Sequence, residues 1–197
     1  HCPNSGSMMG LLNNGNKVWF SKSKNPKRKL KYTLEIIEIR KNLVGINTFL
    51  TNKIVLEALK AKKIKNLVKY DNIKTEAKFG TNSRFDFLIS NKKEEAYLEV
   101  KNVTLMRNKK IAEFPDAITS RGTKHLIELI NAKKKNFSSY ILFLIQRQDC
   151  KYFTIADDID NNYKIAFDKA KNAGVRILCY DCKISCEEVR LNNKINI

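Results

Sequence analysis

From Ile73 onward the chain keeps a period of two, and this alternation constrains its fold more than any other feature. Ile73, Thr75, Ala77 and Phe79 alternate with polar residues. Strand side chains point to opposite faces in turn, so the pattern predicts a half-buried strand. Gly80-Thr81-Asn82-Ser83 reads as a turn, and Arg84 to Ser90 as a second strand. Asn91 to Glu95 is another turn, and Ala96 to Leu105 a third strand. Three sequential strands with short turns make an antiparallel meander.

The flanks complete an α/β (α+β) reading with a mixed sheet. Residues 53–63 carry an apolar stripe of Val55, Leu56 and Leu59, with Asn52 as a predicted helix cap. Met106 to Asp116 reads as a loop. Residues 118–133 read as a helix capped by Thr119 or Ser120, with Leu126, Leu129 and Ile130 on one face. Tyr140 to Gln146 is almost continuously apolar, as a strand covered on both faces should be. A helix over 161–173 ends at Gly174, and Val175 to Tyr180 is another buried strand. From Glu187 the chain reads as a ragged tail.

The first 50 residues differ. Short β-like runs, Val18 to Phe20, Tyr32 to Ile39 and Leu43 to Ile46, are separated by Asn25-Pro26 and Lys41-Asn42. They amount to part of a small β-barrel, which three strands cannot close. Because the chain starts at His1, the remaining strands are expected in a preceding segment. A boundary at Thr48 to Thr51 gives two expected units, residues 1–50 and 51–197.

The formal net charge of +18 over 197 residues points to an anionic partner, with nucleic acid first. Lys, Asn and Ile all have AT-rich codons, so genome composition is an alternative source of the charge. No run of about 18 apolar residues exists, which excludes a membrane-spanning helix. No signal peptide is visible, and a cytoplasmic protein with reduced thiols is expected. Cys179, Cys182 and Cys186 hint at a metal clip, but the only histidines are His1 and His125. Zinc needs four ligands, so no zinc is expected.

The meander carries the sharpest chemistry. Glu99 and Lys101 are two apart on one strand and share a face. Asp86 lies on the preceding strand, within cross-strand reach of Glu99. Two carboxylates this close need neutralising, and hydrated Mg²⁺ or Mn²⁺ does so with few protein ligands. Asp86 and Glu99 are therefore the candidate metal ligands. Lys101 would orient a water and offset phosphorane charge, and Glu57 would add a water-mediated contact. The spacing alone is weak: Glu76-Ala77-Lys78 also matches Glu-x-Lys. The competing reading is an exposed cross-strand ion pair. Phe85, Phe87, Leu98 and Val100 argue against it, because they place the charges on a buried sheet.

Arg121, Lys124 and His125 fall in the first turns of the following helix. Either they meet a DNA backbone, or the two cations are solvated and His125 packs with a satisfied hydrogen bond. Between residues 17 and 31, Lys17, Lys22, Lys24, Lys27, Arg28, Lys29 and Lys31 come without an acid. Trp19, Phe20 and Tyr32 are interleaved, a combination that suits nucleic acid on a barrel face. The cations read as functional and Phe20 as core.

Longer stretches have recognisable wording: His1-Cys2-Pro3-Asn4-Ser5-Gly6-Ser7-Met8, Asn25-Pro26-Lys27-Arg28-Lys29-Leu30, and Asn82-Ser83-Arg84-Phe85-Asp86-Phe87-Leu88. Further on come Glu99-Val100-Lys101-Asn102-Val103-Thr104-Leu105, Phe114-Pro115-Asp116-Ala117 and Arg121-Gly122-Thr123-Lys124-His125-Leu126. In this order they resemble the sugar fermentation stimulation protein A family, to about Tyr180. The resemblance implies an incomplete N-terminal OB-fold joined to a PD-(D/E)XK nuclease-like domain. It also implies non-specific DNA binding and a regulatory link to sugar (maltose) metabolism in bacteria. It carries the nuclease-like roles onto Asp86, Glu99 and Lys101, with Glu57 as the outer position. Two functions are thus expected: DNA binding with a regulatory role, or Mg²⁺-dependent cleavage of DNA. A sugar sensor is a third class, to which no sequence feature points.

Overall fold

The computed structural model describes residues 1–80 and 83–197. The predicted turn at 80–83 falls partly outside them, at Thr81 and Asn82. Gly80 before it has φ +60°, a left-handed backbone that glycine adopts readily.

Three antiparallel strands open the chain: β1 (Val18–Lys22), β2 (Tyr32–Ile39) and β3 (Asn42–Gly45), in the order β1-β2-β3. The two faces of this OB-fold portion bury different things. Ile37, Val44 and Ile46 pack with Met8 and Leu11. Ile36, Trp19 and Leu43 pack instead onto the second half of the chain. Phe20 is 59% exposed and meets Tyr32 edge-on at 5.2 Å, so it is not the core residue expected. It pairs with Leu34, which packs beside the Ile37 cluster. Phe20 therefore continues that apolar face out to solvent.

Helix α1 (Thr51–Lys60) follows, and then β4 (Asn72–Phe79), β5 (Ser83–Ser90) and β6 (Glu95–Val103) form the meander. β7 (Ile111–Phe114) lies within the stretch read as a loop. Helix α2 (Ser120–Lys134), β8 (Ser138–Ile145), β9 (Tyr152–Ile155), α3 (Asn161–Asn172), β10 (Arg176–Ile184) and β11 (Val189–Lys194) complete the chain. β7 and β9 pair in parallel as a separate two-stranded sheet. The expected ragged tail is β11, an antiparallel edge strand on β10.

The main sheet runs β11-β10-β8-β6-β5-β4. β6, β8 and β10 are parallel and the outer strands antiparallel, giving the mixed sheet expected of a nuclease-like domain. β8 shows why its sequence lacks alternation. Tyr140, Leu142 and Leu144 face a core shared with Val55 and Leu59 of α1, whereas Ile141, Phe143 and Ile145 face Leu126, Leu129 and Phe167 of α2 and α3. A strand covered by helices on both faces needs apolar residues on both. A single carboxylate ties the two helices of the second face together. Asp160 caps α3 by accepting from the Tyr163 N–H and also accepts from the N–H of Thr119, the α2 cap. Among the described residues, no helix is long and apolar enough to cross a membrane.

Candidate functional site

The site begins with an irregularity in β5. Phe85 and Phe87 are two residues apart and should share a face. Phe85 instead joins the α2/α3 core and Phe87 the α1 core. The hairpin changes face between them. Thr75↔Phe87 and Ala77↔Phe85 pair regularly, but the ladder is interrupted at Glu76 and Asp86, and Glu76 has φ +52°. On its other side the β5–β6 ladder stops at Phe87↔Leu98, while β6 stays paired with β8 as far as Val103↔Ile145. The sheet forks at Asp86.

Asp86 fills the fork. One carboxylate oxygen accepts from the Val100 N–H at 2.7 Å, where a strand carbonyl would otherwise serve. The other accepts from the Asn52 amide at 2.7 Å. Burial and then the nearby Glu99 push the Asp86 carboxyl up from 3.8 to about 6.

Glu99 is 2% exposed. Its Oε1 accepts from Lys101 Nζ at 2.7 Å and also from His125 Nδ1. A carboxylate only accepts, so that imidazole nitrogen carries the proton. Burial pushes the Glu99 carboxyl up, but the His125 hydrogen bond and the Lys101 charge outweigh it and hold it below the ordinary range. Its Oε2 is buried with no hydrogen-bond partner among the described residues. Tyr163 sits in the same field. Burial, and then the Glu99 charge, keep its phenol well above the ordinary range.

Around these groups lies a cleft of about 650 Å³, lined also by Lys78, Arg84, Arg121 and Lys124. Of the expected residues, Asp86 from β5, Glu99 and Lys101 from β6, and Arg121 and Lys124 from α2 therefore meet at one cleft. Glu57 does not join them. It is exposed on α1 and does not line the cleft, because it falls five residues, or about 140° of helix, beyond Asn52. Asn52 is the α1 residue that reaches the site, as an amide donor inside the helix and not as its cap. Lys22, Lys24, Lys27, Arg28 and Lys29 also stand apart, on β1 and the loop that follows it. His125 has the packed, hydrogen-bonded placement of the structural alternative, and its partner is the central carboxylate.

The donor set fits a hard, hydrated cation. Asp86 and Glu99 supply oxygens, and the orphaned Glu99 Oε2 is the atom such an ion would satisfy. No three His, Cys, Asp or Glu side chains are placed to hold one metal ion together among the described residues. The C-terminal cysteines do not converge either. Cys179 lies in the α2/α3 core, Cys182 in the α1 core, and Cys186 is exposed.

Comparison with known proteins bears on this geometry. Residues 49–188 match the family model described as the sugar fermentation stimulation protein RE domain. Residues 1–46 match the SfsA N-terminal OB domain. The chain belongs to the sugar fermentation stimulation protein family. A homolog of that name from Pelagibacter ubique is 52% identical over 197 residues, spanning 100% of this chain and 85% of the relative. One from Dinoroseobacter shibae is 42% identical over 199 residues, spanning 100% of this chain and 82% of the relative. Among solved structures, Pyrococcus furiosus SfsA in complex with Ca²⁺ superposes with a TM-score of 0.90 at 23% identity. The match covers 99% of this chain and 83% of that one, and it shows the same fold. The two family models meet where β3 hands over to α1, beside Asn52.

Proposed function

We propose that this chain binds DNA along its basic surfaces and that the forked cleft is a divalent-cation site for phosphodiester cleavage. One observation carries the reading: Glu99 Oε2 is buried without a partner among the described residues, in a cleft that also holds Asp86 and Lys101. Stranding a buried carboxylate oxygen is costly, and surface ion pairing does not account for it. A complex of the Pyrococcus protein with Ca²⁺ supports a hard-ion site in this fold.

Mg²⁺ or Mn²⁺, bound by Asp86 and Glu99, would supply Lewis acidity and a water of lowered pKa. The chain's own residues do the rest. Lys101 holds a cation beside Glu99 and can offset charge on a phosphorane oxygen. His125 engages Glu99 Oε1, so Oε2 is the oxygen that would be left to an ion. Asn52 and the Val100 N–H fix Asp86. Arg121 and Lys124 place the phosphate backbone from α2.

The family's name, sugar fermentation stimulation, suits a second reading in which DNA binding serves regulation of sugar metabolism without turnover. The experiment incubates plasmid and short single-stranded DNA with Mg²⁺ or Mn²⁺, alongside Lys101→Ala and Asp86→Ala. Cleavage lost in both variants supports the cation site. No cleavage under any condition, with binding intact, leaves the regulatory reading.

A further inference from the structure

A second cavity, of about 340 Å³, lies where the OB-fold portion meets the main sheet. The cation cleft leaves it unexplained, although two of the chain's most recognisable stretches line it: Asn4-Ser5-Gly6 and Phe114-Pro115-Asp116-Ala117. Its chemistry is the reverse of the cleft's. No Lys or Arg lines it, and its polar groups are carboxylate, amide and hydroxyl. Glu113 is already taken by Arg107, which donates to both of its oxygens. Asp116 has no hydrogen bond or ion pair among the described residues, and it packs so closely on Gly6 that a β-carbon there would collide with it. The Asn102 carbonyl is engaged by Thr51 and Gln146, which leaves its NH₂ as a donor.

The two cavities are lined from the same two elements, β6 and α2. Lys101 lines the cleft and Asn102 the cavity, on adjacent residues of β6 about 3.8 Å apart. Thr119 lines the cavity and Arg121 the cleft, within the first turn of α2. The first turn of α2 thus joins the rim of the cavity to Arg121 and Lys124, the cations that would hold a strand's phosphates. A cavity with a carboxylate and no cation rejects a phosphate. It accepts a neutral planar group with hydrogen-bonding edges, of a size that small-molecule sites commonly take.

We propose that this cavity receives an unpaired nucleobase, guanine first, from a strand whose backbone lies in the cleft. Guanine presents two N–H donors side by side, which an acceptor-only carboxylate such as Asp116 can receive together. Its O6 then accepts from the Asn102 amide or the Thr104 hydroxyl, both at the same cavity. Adenine and the pyrimidines offer Asp116 fewer donors. Reading an unstacked base by its pairing edge is how proteins recognise extruded nucleotides. The proposal rests on the nucleic-acid reading of the cleft.

The test is fluorescence anisotropy of labelled six-nucleotide thymidine strands in EDTA, so that no strand is cut. Each carries one central guanine, adenine or abasic site. Guanine should bind at least about tenfold tighter than the abasic strand, and Asp116→Asn should abolish that preference. Gly6→Ala, which displaces Asp116, should do the same. Arg121→Ala should weaken all three strands alike and keep the preference. Equal binding of the guanine and abasic strands by the unaltered protein overturns the cavity reading and leaves the cleft reading standing. Failure to bind any strand removes both. If glucose or maltose binds in an Asp116-dependent way and guanosine does not, the cavity takes a polyol and the proposal is wrong.

Discussion

Two regions of this molecule carry positive charge in opposite ways. In the β1–β2 segment Lys22, Lys24, Lys27 and Lys29 are exposed, and no acidic residue lies between positions 17 and 31. At the fork Lys101 is buried to 13% side-chain exposure and shares one Glu99 oxygen with His125. Exposed cations act at long range, are screened by salt and are individually replaceable. A cation held in a fork acts on one atom and answers to few substitutions. On the function proposed above, the first arrangement would capture an anionic polymer and the second would act on one bond of it.

The largest effect that would sharpen this contrast comes from Lys101→Ala. Cleavage measured on a labelled strand should fall by about 100-fold or more. The dissociation constant for the same strand should change far less, and an equal loss of both would erase the distinction between the regions. Next is His125→Ala, which removes a hydrogen bond to a buried carboxylate and should cost about 2 kcal/mol in urea unfolding. In a Glu99→Gln background the same change should cost under about 1 kcal/mol, because the charge it served is gone. Equal costs in the two backgrounds would mean His125 acts through packing alone.

The third prediction concerns pH. Asp86 is raised from 3.8 to about 6, so its carboxyl favours folding below pH 3.8, and that contribution is lost as pH rises through about 6. A divalent cation needs the ionised form and reverses this preference. The gain in Tm from Mg²⁺ or Mn²⁺ should be full at pH 8 and fade below about 6. A gain unchanged at pH 5 would place the ion away from Asp86. The smallest effect belongs to the exposed region. Replacing Lys27, Arg28 and Lys29 with Ala together should leave Tm unmoved. It should still flatten the plot of log K against log salt, by about 0.9 for each phosphate no longer neutralised. An unchanged slope would make that segment bland surface.

Strand alternation carries most of the fold, and it does so where one face of a strand meets water. It cannot show β7 or β9, four-residue runs that pair with each other although α2 and β8 lie between them in the chain. Nor can it show β11, where Arg190 and the Asn192-Asn193 pair mask an edge strand. At the site, Asp86, Glu99 and Lys101 come together as their spacing implies. The face change between Phe85 and Phe87 is not legible, because both are phenylalanines and either core accepts one. Helix phase decides between Glu57 and Asn52, which lie about 140° apart around α1. Metal chemistry favours a carboxylate on α1, whereas the residue that reaches Asp86 is an amide donor. Phe20 escapes the same reasoning because a period of two shows which side chains share a face, but not whether anything covers it.

The bond between the Val100 N–H and the Asp86 carboxylate has a use of its own. Most amides in this sheet are tied to backbone carbonyls, whose charge never changes. That of Val100 is tied to a group that titrates and that an ion would polarise. Its ¹⁵N–¹H resonance and its hydrogen-exchange rate are thus a reporter built into the protein. A single peak can follow protons and metal ions arriving at the fork, with no label, substrate or turnover required.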